Sequence, residues 1–382
     1  MNTQQRIDYG KSTALEFKVL QDIEEIGKIQ KDWETLWDQC GADAAFLSPN
    51  WITAWLKANP KAEPRFICVY SGDQLMAISP LVSEYSSLKF CTTLKIAGSA
   101  ISQYQSLVLS CPQDQDIYTQ MVVNFASSQN LADLICIEKV TLSDALLKNN
   151  FYQSESSADY SSVLDIEKDK KDIGVKRTIL SKANKDSRSK QRKLAELGKV
   201  TFQSAPLSRD DFEKTVGLLF QWKKDFLRDK GIFGEFYEQK ENYDFLCNLD
   251  FDAVDLRCET LLVDGKPVTM GLSLVKGNTY YAFTSAYDPE FYSYSTGNVL
   301  FTFVVEWMEQ NGLDHYDFMG NPEAYKERFS NTKILLYDYT LPLTTKGNIA
   351  FRLMDMPVKQ WSKKAFYYLP ENTRKTLIKL RS

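Results

Sequence analysis

Apolar residues recur at helical spacing over residues 24–39, where Trp33 and Trp37 stand four apart and Ile26 and Ile29 fall on or near the same stripe. Ser48-Pro49-Asn50 reads as an N-cap serine with proline in the first turn, opening a short helix that carries Trp51, Ile52 and Trp55. Tryptophans at this spacing are read as core. The pattern then changes to strands. Phe66–Tyr70 predicts one, Ser71-Gly72-Asp73 a turn, and Leu75–Val82 the returning strand.

A similar run recurs later in the chain. Thr260–Val263 leads into Asp264-Gly265, and Val268–Val275 returns. Each hairpin is followed by further strands, a helix and an apolar strand, at Leu131–Val140 and at Leu313–Phe318. The order suggests an internal duplication and two α/β halves. Between them, Glu167–Lys199 is rich in Lys and Arg, with Lys185, Arg188, Lys190, Arg192 and Lys193 bunched ahead of a helix-ending Gly198. This stretch reads as a solvated connecting helix or as a phosphate-facing surface. The expected organisation is a first half over 15–167, a basic connecting helix over 168–199, a second half over 200–345 and a basic amphipathic helical tail over 346–382. The tail is expected to dock on the body of the protein, with contact to an anionic membrane surface as the alternative.

Composition narrows the chemistry. At 382 residues, two domains are the natural expectation. A net charge of -4 argues against a general nucleic-acid binder, so no DNA partner is expected. Met1–Phe17 is polar, without the apolar core of a signal peptide. Val299–Met308 is about half of the ~20 apolar residues needed to cross a bilayer. The seven cysteines are scattered with no C-x-x-C spacing, which suits buried free thiols in the cytoplasm. A single histidine, His315, leaves no clustered ligands for a metal and no serine-hydrolase triad. The usual glycine-rich nucleotide loops are missing from the sequence.

The informative block is 260–329. Thr279–Ser285 reads as a strand, and Gly297-Asn298 opens a helix whose apolar face is Val299, Leu300, Phe303, Val304, Trp307 and Met308. A helix start that follows a loop of small residues presents unpaired amides to an anion such as a diphosphate, and a glycine there admits close approach. His315–Phe318 forms a short strand ending in the turn Met319-Gly320-Asn321-Pro322, and Glu323–Phe329 opens the next helix. If the strand alternates, His315 and Asp317 share a face.

The order of elements from Thr260 to Leu343 resembles the GNAT acyltransferase fold. Asp317-Phe318-Met319-Gly320 followed by Tyr325-Lys326-Glu327-Arg328-Phe329 resembles the signature of the CelD-like acetyltransferases linked to cellulose and exopolysaccharide biosynthesis. Asp288-Pro289 through Ser295-Thr296-Gly297 resembles their donor loop, and Arg192–Gly198 their interdomain helix. Phe46–Trp51 and Ser102-Gln103-Tyr104 resemble their first half. The family is similar in turn to the Fem aminoacyltransferases. Met319 and Asn321 depart from the pattern, because relatives often carry small residues or glycine there.

The resemblance implies tandem GNAT-like α/β domains, each a mixed twisted sheet flanked by helices. It also implies acyl-CoA (acetyl-CoA) as co-substrate, no metal, and a small-molecule or saccharide acceptor. Donor contacts would come from the second half, through Ser285, Ser295, Thr296, Gly297, Asn298 and Tyr325, and the first half would be the acceptor side or a scaffold. Main-chain amides near Ser285 and Ala286 would receive the developing oxyanion, and Lys326 would add positive charge. Asp317 and His315 are the candidate bases, with Asp317 also suited to accepting backbone N–H bonds from its turn and His315 to a core position. Two alternatives stand beside this reading. One is a catalytically silent scaffold in a polysaccharide-synthesis complex at the inner face of the membrane. The other is a Fem-like transferase using aminoacyl-tRNA, which the acidic total charge disfavours.

Overall fold

The fold is that of a computed structural model, which describes residues 4–7, 15–86, 90–141, 151–171, 178–205, 208–250 and 256–354. The chain divides into two compact units. Among the described residues, the first runs to Asp159 and takes back 335–354, and the second is Tyr160–Ile334. The crossings fall inside two strands, at Asp159/Tyr160 in one and at Ile334/Leu335 in the other. Each unit is a mixed α/β fold of twisted sheet flanked by helices, with strands of two sheets in the first unit.

The first unit begins with β1 (Gln4–Ile7), β2 (Leu15–Leu20), α1 (Ile23–Lys28), α2 (Gln30–Asp38) and α3 (Pro49–Ala58). The single helix expected over 24–39 is two helices that meet at Ile29, just after the weak helix former Gly27. Asp22 caps α1 by accepting from Glu25 N at 2.8 Å, and Ser48 caps α3 by accepting from Trp51 N at 3.1 Å. There follow β3 (Glu63–Pro64), β4 (Phe66–Ser71), β5 (Gln74–Ser79), β6 (Leu81–Ser86), β7 (Cys91–Ile96), β8 (Leu109–Ser110), α4 (Gln115–Ser128) and β9 (Leu134–Thr141). The expected return strand is broken at Pro80, which has no N–H to give a ladder, so β5 and β6 join different sheets.

In this unit β7 and β9 pair in parallel, from Thr93↔Leu134 to Lys95↔Cys136. Just past that register the buried side chain of Gln105 links β9 to the segment that follows β7. Its Oε1 accepts from Glu138 N at 3.3 Å and its Nε2 donates to Ser99 O at 3.0 Å. Lys139, at a left-handed φ of 56°, donates its Nζ to Ser102 O at 2.6 Å beside it. The place where the two parallel strands part is thus filled by the chain itself.

The second unit starts in β10 (Tyr152–Asp165) and continues through α5 (Ile166–Lys171), α6 (Ile179–Ala195), β11 (Val200–Ala205), α7 (Arg209–Asp229), α8 (Glu235–Glu238), α9 (Lys240–Cys247), β12 (Leu256–Val263), β13 (Lys266–Lys276), β14 (Thr279–Tyr287), α10 (Thr296–Gln310), β15 (His315–Asp317) and α11 (Ala324–Arg328). The chain leaves it in β16 (Thr332–Pro342), and α12 (Thr345–Met354) belongs to the first unit. The strand order here is β11-β12-β13-β14-β15-β10. Asp264 and Gly265 both sit at positive φ, 47° and 77°, as the tight turn between β12 and β13 requires. Helix α10 supplies the core with Val299, Leu300, Phe301, Val304, Val305 and Met308, packed with Leu261, Val268, Tyr280, Tyr316 and Phe318.

The basic segment keeps Lys182, Lys185, Arg188, Arg192 and Lys193 exposed while one face of it packs. Helix α6 buries Leu180, Ala183, Ser187 and Leu194, and Ser187 Oγ lies 2.7 Å from Thr302 Oγ1 of α10. The 180-183-187-194 spacing is a helical stripe hidden inside the Lys/Arg-rich composition. Part of the expected connector (172–177) and most of the expected tail (355–382) lie outside the described residues. All seven cysteines are free thiols; Cys68, Cys91, Cys136 and Cys258 are buried, and Cys40, Cys111 and Cys247 are half-buried. Among the described residues, no helix is long and apolar enough to cross a membrane and no cluster of His, Cys, Asp or Glu forms a metal site.

Candidate functional site

The site is built on a pair of parallel strands that separate. β15 matches Thr279, Tyr280 and Tyr281 of β14 with His315, Tyr316 and Asp317. β15 ends there, while β14 runs on to Tyr287. The chain leaves β15 toward β10, where Phe318 N donates to Ser162 O at 2.9 Å. A split therefore opens beyond Tyr281, between the end of β14 and the turn after Asp317. Ser285 lies on the exposed part of that end.

After β14, the turn Pro289–Tyr294 leads into the start of α10. Ser295 takes a left-handed conformation, φ 49° and ψ 47°, and no side chain caps the helix. Asn298 N turns back to Ser295 O at 3.0 Å. Ser295 and Gly297 are exposed, Asn298 is half-buried, and Thr296 is buried with its Oγ1 left without a hydrogen-bond partner. Nothing lies within 4 Å of a Cβ built on Gly297. An uncapped, open helix start of this kind suits an anion.

Asp317 is 2% exposed. Its Oδ1 accepts from Ser161 Oγ at 2.6 Å and from Met319 N at 2.7 Å, so it clamps the turn that follows. In that turn Met319 and Asn321 both sit at positive φ, 63° and 67°. The backbone explains why glycine suits these positions, because other residues there carry a steric cost. His315 lies at the opposite end of β15, opposite Thr279. Ser285 is six residues further along β14, roughly 20 Å away at about 3.3 Å per residue. The parallel register pairs His315 with Thr279, two positions back from the Tyr281–Asp317 pair where the ladder ends.

Two lysines hold the open end. Lys326, 7% exposed on α11, donates its Nζ to Gly320 O at 2.8 Å and lies 3.5 Å from Glu323. Burial lowers its pKa from the ordinary lysine value, against the pull of the Glu323 and Asp317 carboxylates. Lys223 of α7 donates its Nζ to Ser285 O at 2.9 Å. Burial lowers its pKa as well; the Glu323 carboxylate opposes this and the Lys326 charge adds to it. Tyrosines line the surroundings. Tyr237 OH and Thr284 Oγ1 are 2.5 Å apart, Tyr287 packs edge-on to Phe226 of α7, and Tyr325 is exposed with its ring edge-on to Phe318. Burial pushes the Tyr237 and Tyr287 phenols up to about 12.

Sequence reasoning missed Lys223, though a signal exists. Phe212, Val216 and Leu219 are buried at i, i+4 and i+7 of α7, and Lys223 takes the next place on that stripe. It also missed Glu259, fully buried on β12. Ser273 Oγ donates to its Oε1 at 2.9 Å, and burial pushes its carboxyl up to about 7. The signal there is an acid at the inward register of Leu261 and Val263.

Residues 181–327 match the model of a family described as acetyltransferase (GNAT) domain, a span that includes the split, the α10 start and Lys326. No curated protein matches the chain. Among solved structures it is similar to FemX at 13% identity, with a TM-score of 0.59 over 85% of this chain and 98% of that one. It is similar to the C-terminal domain of a lysylphosphatidylglycerol synthetase, so assigned provisionally, from Agrobacterium fabrum at 12% identity, with a TM-score of 0.54 over 87% and 97%. L-PGS from Bacillus licheniformis gives 13% identity and a TM-score of 0.53 over 87% and 96%. At such identities the likeness establishes a shared fold.

Proposed function

We propose that the chain moves an acyl group, acetyl first, from acyl-CoA to an amine or hydroxyl of a small-molecule or saccharide acceptor, with the donor held by the second unit. The observation that carries this reading is the combination of parted parallel strands with the open, uncapped start of the helix that follows β14, inside a GNAT acetyltransferase domain. The residues fit the donor. Ser295, Gly297 and Asn298 would hold its diphosphate, the orphaned Thr296 Oγ1 belongs to the same helix turn, and the split would take the pantetheine arm. A bound acyl-CoA supplies an activated thioester carbonyl.

The chain supplies the rest. Main-chain N–H groups near Ser285 and Ala286, with the Lys326 ammonium across the split, are suited to stabilising the charge that develops on the carbonyl oxygen. Asp317 acts as a positioning residue, since its bonds to Ser161 and Met319 hold the turn that carries Gly320, the partner of Lys326. The polysaccharide setting rests on the resemblance of the 317–329 block to CelD-like enzymes. Calorimetric titration with acetyl-CoA and longer acyl-CoAs tests the donor assignment. Binding with one donor per chain is expected, and no heat across the series rejects it. Retained turnover after ribonuclease treatment separates this reading from an aminoacyl-tRNA donor.

A further inference from the structure

Among the described residues, the ammonium of Lys223 has no ion-pair partner. Lys223 is half-buried, and its Nζ gives one hydrogen bond, to a neutral carbonyl, Ser285 O, at 2.9 Å. An ammonium has three N–H donors. Among the described residues no carboxylate comes within 4.0 Å of this one. Glu323, the carboxylate whose charge acts on it, is the ion-pair partner of Lys326 at 3.5 Å. The other basic residues of this part of α7 are matched: Lys224 and Arg228 share Glu238 at 3.9 Å and 3.1 Å. The Lys223 ammonium also stands 6.0 Å from the centroid of the Tyr237 ring, an apolar wall with a weakly attractive face.

Holding a partly desolvated ammonium beside a second lysine costs free energy unless an anion completes it. Its position limits what that anion is. It stands at the end of β14, where the acyl carbonyl would arrive, within reach of the Lys326 charge. We propose that Lys223 receives a carboxylate carried by the acyl acceptor, so that the acceptor is an amino or hydroxy acid, with Tyr237 and Tyr287 flanking it. One unmatched positive charge suits a carboxylate monoanion better than a phosphate monoester of about two charges. This inference rests on the acyl-transfer reading and names the acceptor class for it.

The test compares L-amino acids with their amides as acceptors for acetyl-CoA, and serine with O-phosphoserine, in the wild type, Lys223→Met and Lys223→Arg. The wild type should favour acids over amides in kcat/KM. Lys223→Met should collapse that preference by about 10- to 100-fold, mainly through KM, the range expected for a hydrogen bond to a charged group. Lys223→Arg should restore part of it. An unchanged acid-to-amide ratio in Lys223→Met overturns the proposal, as does a stronger response to O-phosphoserine than to serine. Saturation-transfer NMR with the same pairs reads acceptor binding without turnover, and acids that bind no better than amides also overturn it. Acetyl-CoA titration of the same proteins keeps the two readings apart. Absent donor binding defeats the transferase assignment, whereas intact donor binding with no acid preference defeats only the role of Lys223.

Discussion

The Nζ of Lys326 donates to the carbonyl oxygen of Gly320 at 2.8 Å. That bond ties α11 to a turn containing two residues with left-handed backbones, Met319 and Asn321. The ammonium therefore braces the turn, and in the proposed reaction it also faces the split. Lys326→Met should lower stability by about 1–3 kcal/mol in urea unfolding, because a buried carbonyl loses its donor. It should also lower kcat more than it raises KM, since a charge stabilising the transition state is lost as well. A change in stability alone would reduce Lys326 to a brace.

Asn321 is exposed at a φ of 67°. Asn321→Ala should cost about 1 kcal/mol, the penalty for a Cβ in the left-handed region, while Asn321→Gly should be near neutral. Equal melting temperatures for the two variants would show that the turn relaxes.

Gly297 has space around it and no positive φ, so the fold does not require a glycine there. Gly297→Leu should leave the melting temperature unchanged or raise it slightly, because leucine is the better helix former. Donor affinity by calorimetry should fall at least about tenfold, since the side chain occupies the approach to the α10 amides. Unchanged affinity would move the diphosphate site elsewhere.

Glu259 connects stability to pH. Its folded pKa is raised by burial to about 7 from an ordinary 4.5, so the native state favours the neutral acid. Its contribution to stability is fully present below pH 4.5 and is lost as pH rises through 7. The loss is about 3 kcal/mol, because each tenfold difference in proton affinity between the folded and unfolded chain is worth roughly 1.4 kcal/mol. Glu259→Gln should flatten stability between these pH values and raise the melting temperature at pH 8. A wild type with no slope in this window would contradict the buried-acid account.

Gln105 ties Glu138 N and Ser99 O together where the first unit's parallel strands part. Gln105→Leu should destabilise the protein by about 2 kcal/mol, because two buried main-chain groups lose their partner. Donor stoichiometry should remain one per chain. A second donor equivalent in this variant would reveal a competent site beneath the plug.

How much was legible in advance differs from element to element. Helix α10 and its Gly297 start, the β12–β13 turn and the strand ending at Asp317 were readable, because their signals lie within a few residues: an apolar period, an Asp-Gly pair, a glycine before a helix. The packing of α6 was masked by its charge, since composition hides a four-residue stripe. Lys223 was missed because an amphipathic lysine on an apolar stripe looks like an ordinary helix surface until its neighbours are known.

The amino-acid order by itself determined the type of most elements, though not the break at Ile29 or the strand break at Pro80, because propensity, capping and turn chemistry act locally. Tertiary structure alone decided that His315 pairs at the closed end of the split, that Asp317 and Lys326 hold one turn, and that Gln105 fills the first unit's gap. Each of those outcomes depends on strand register and on groups far apart in the chain meeting, as Ser161 meets Asp317 and Lys223 meets Ser285. Register is set by how whole faces bury together, and no local stretch of sequence encodes it.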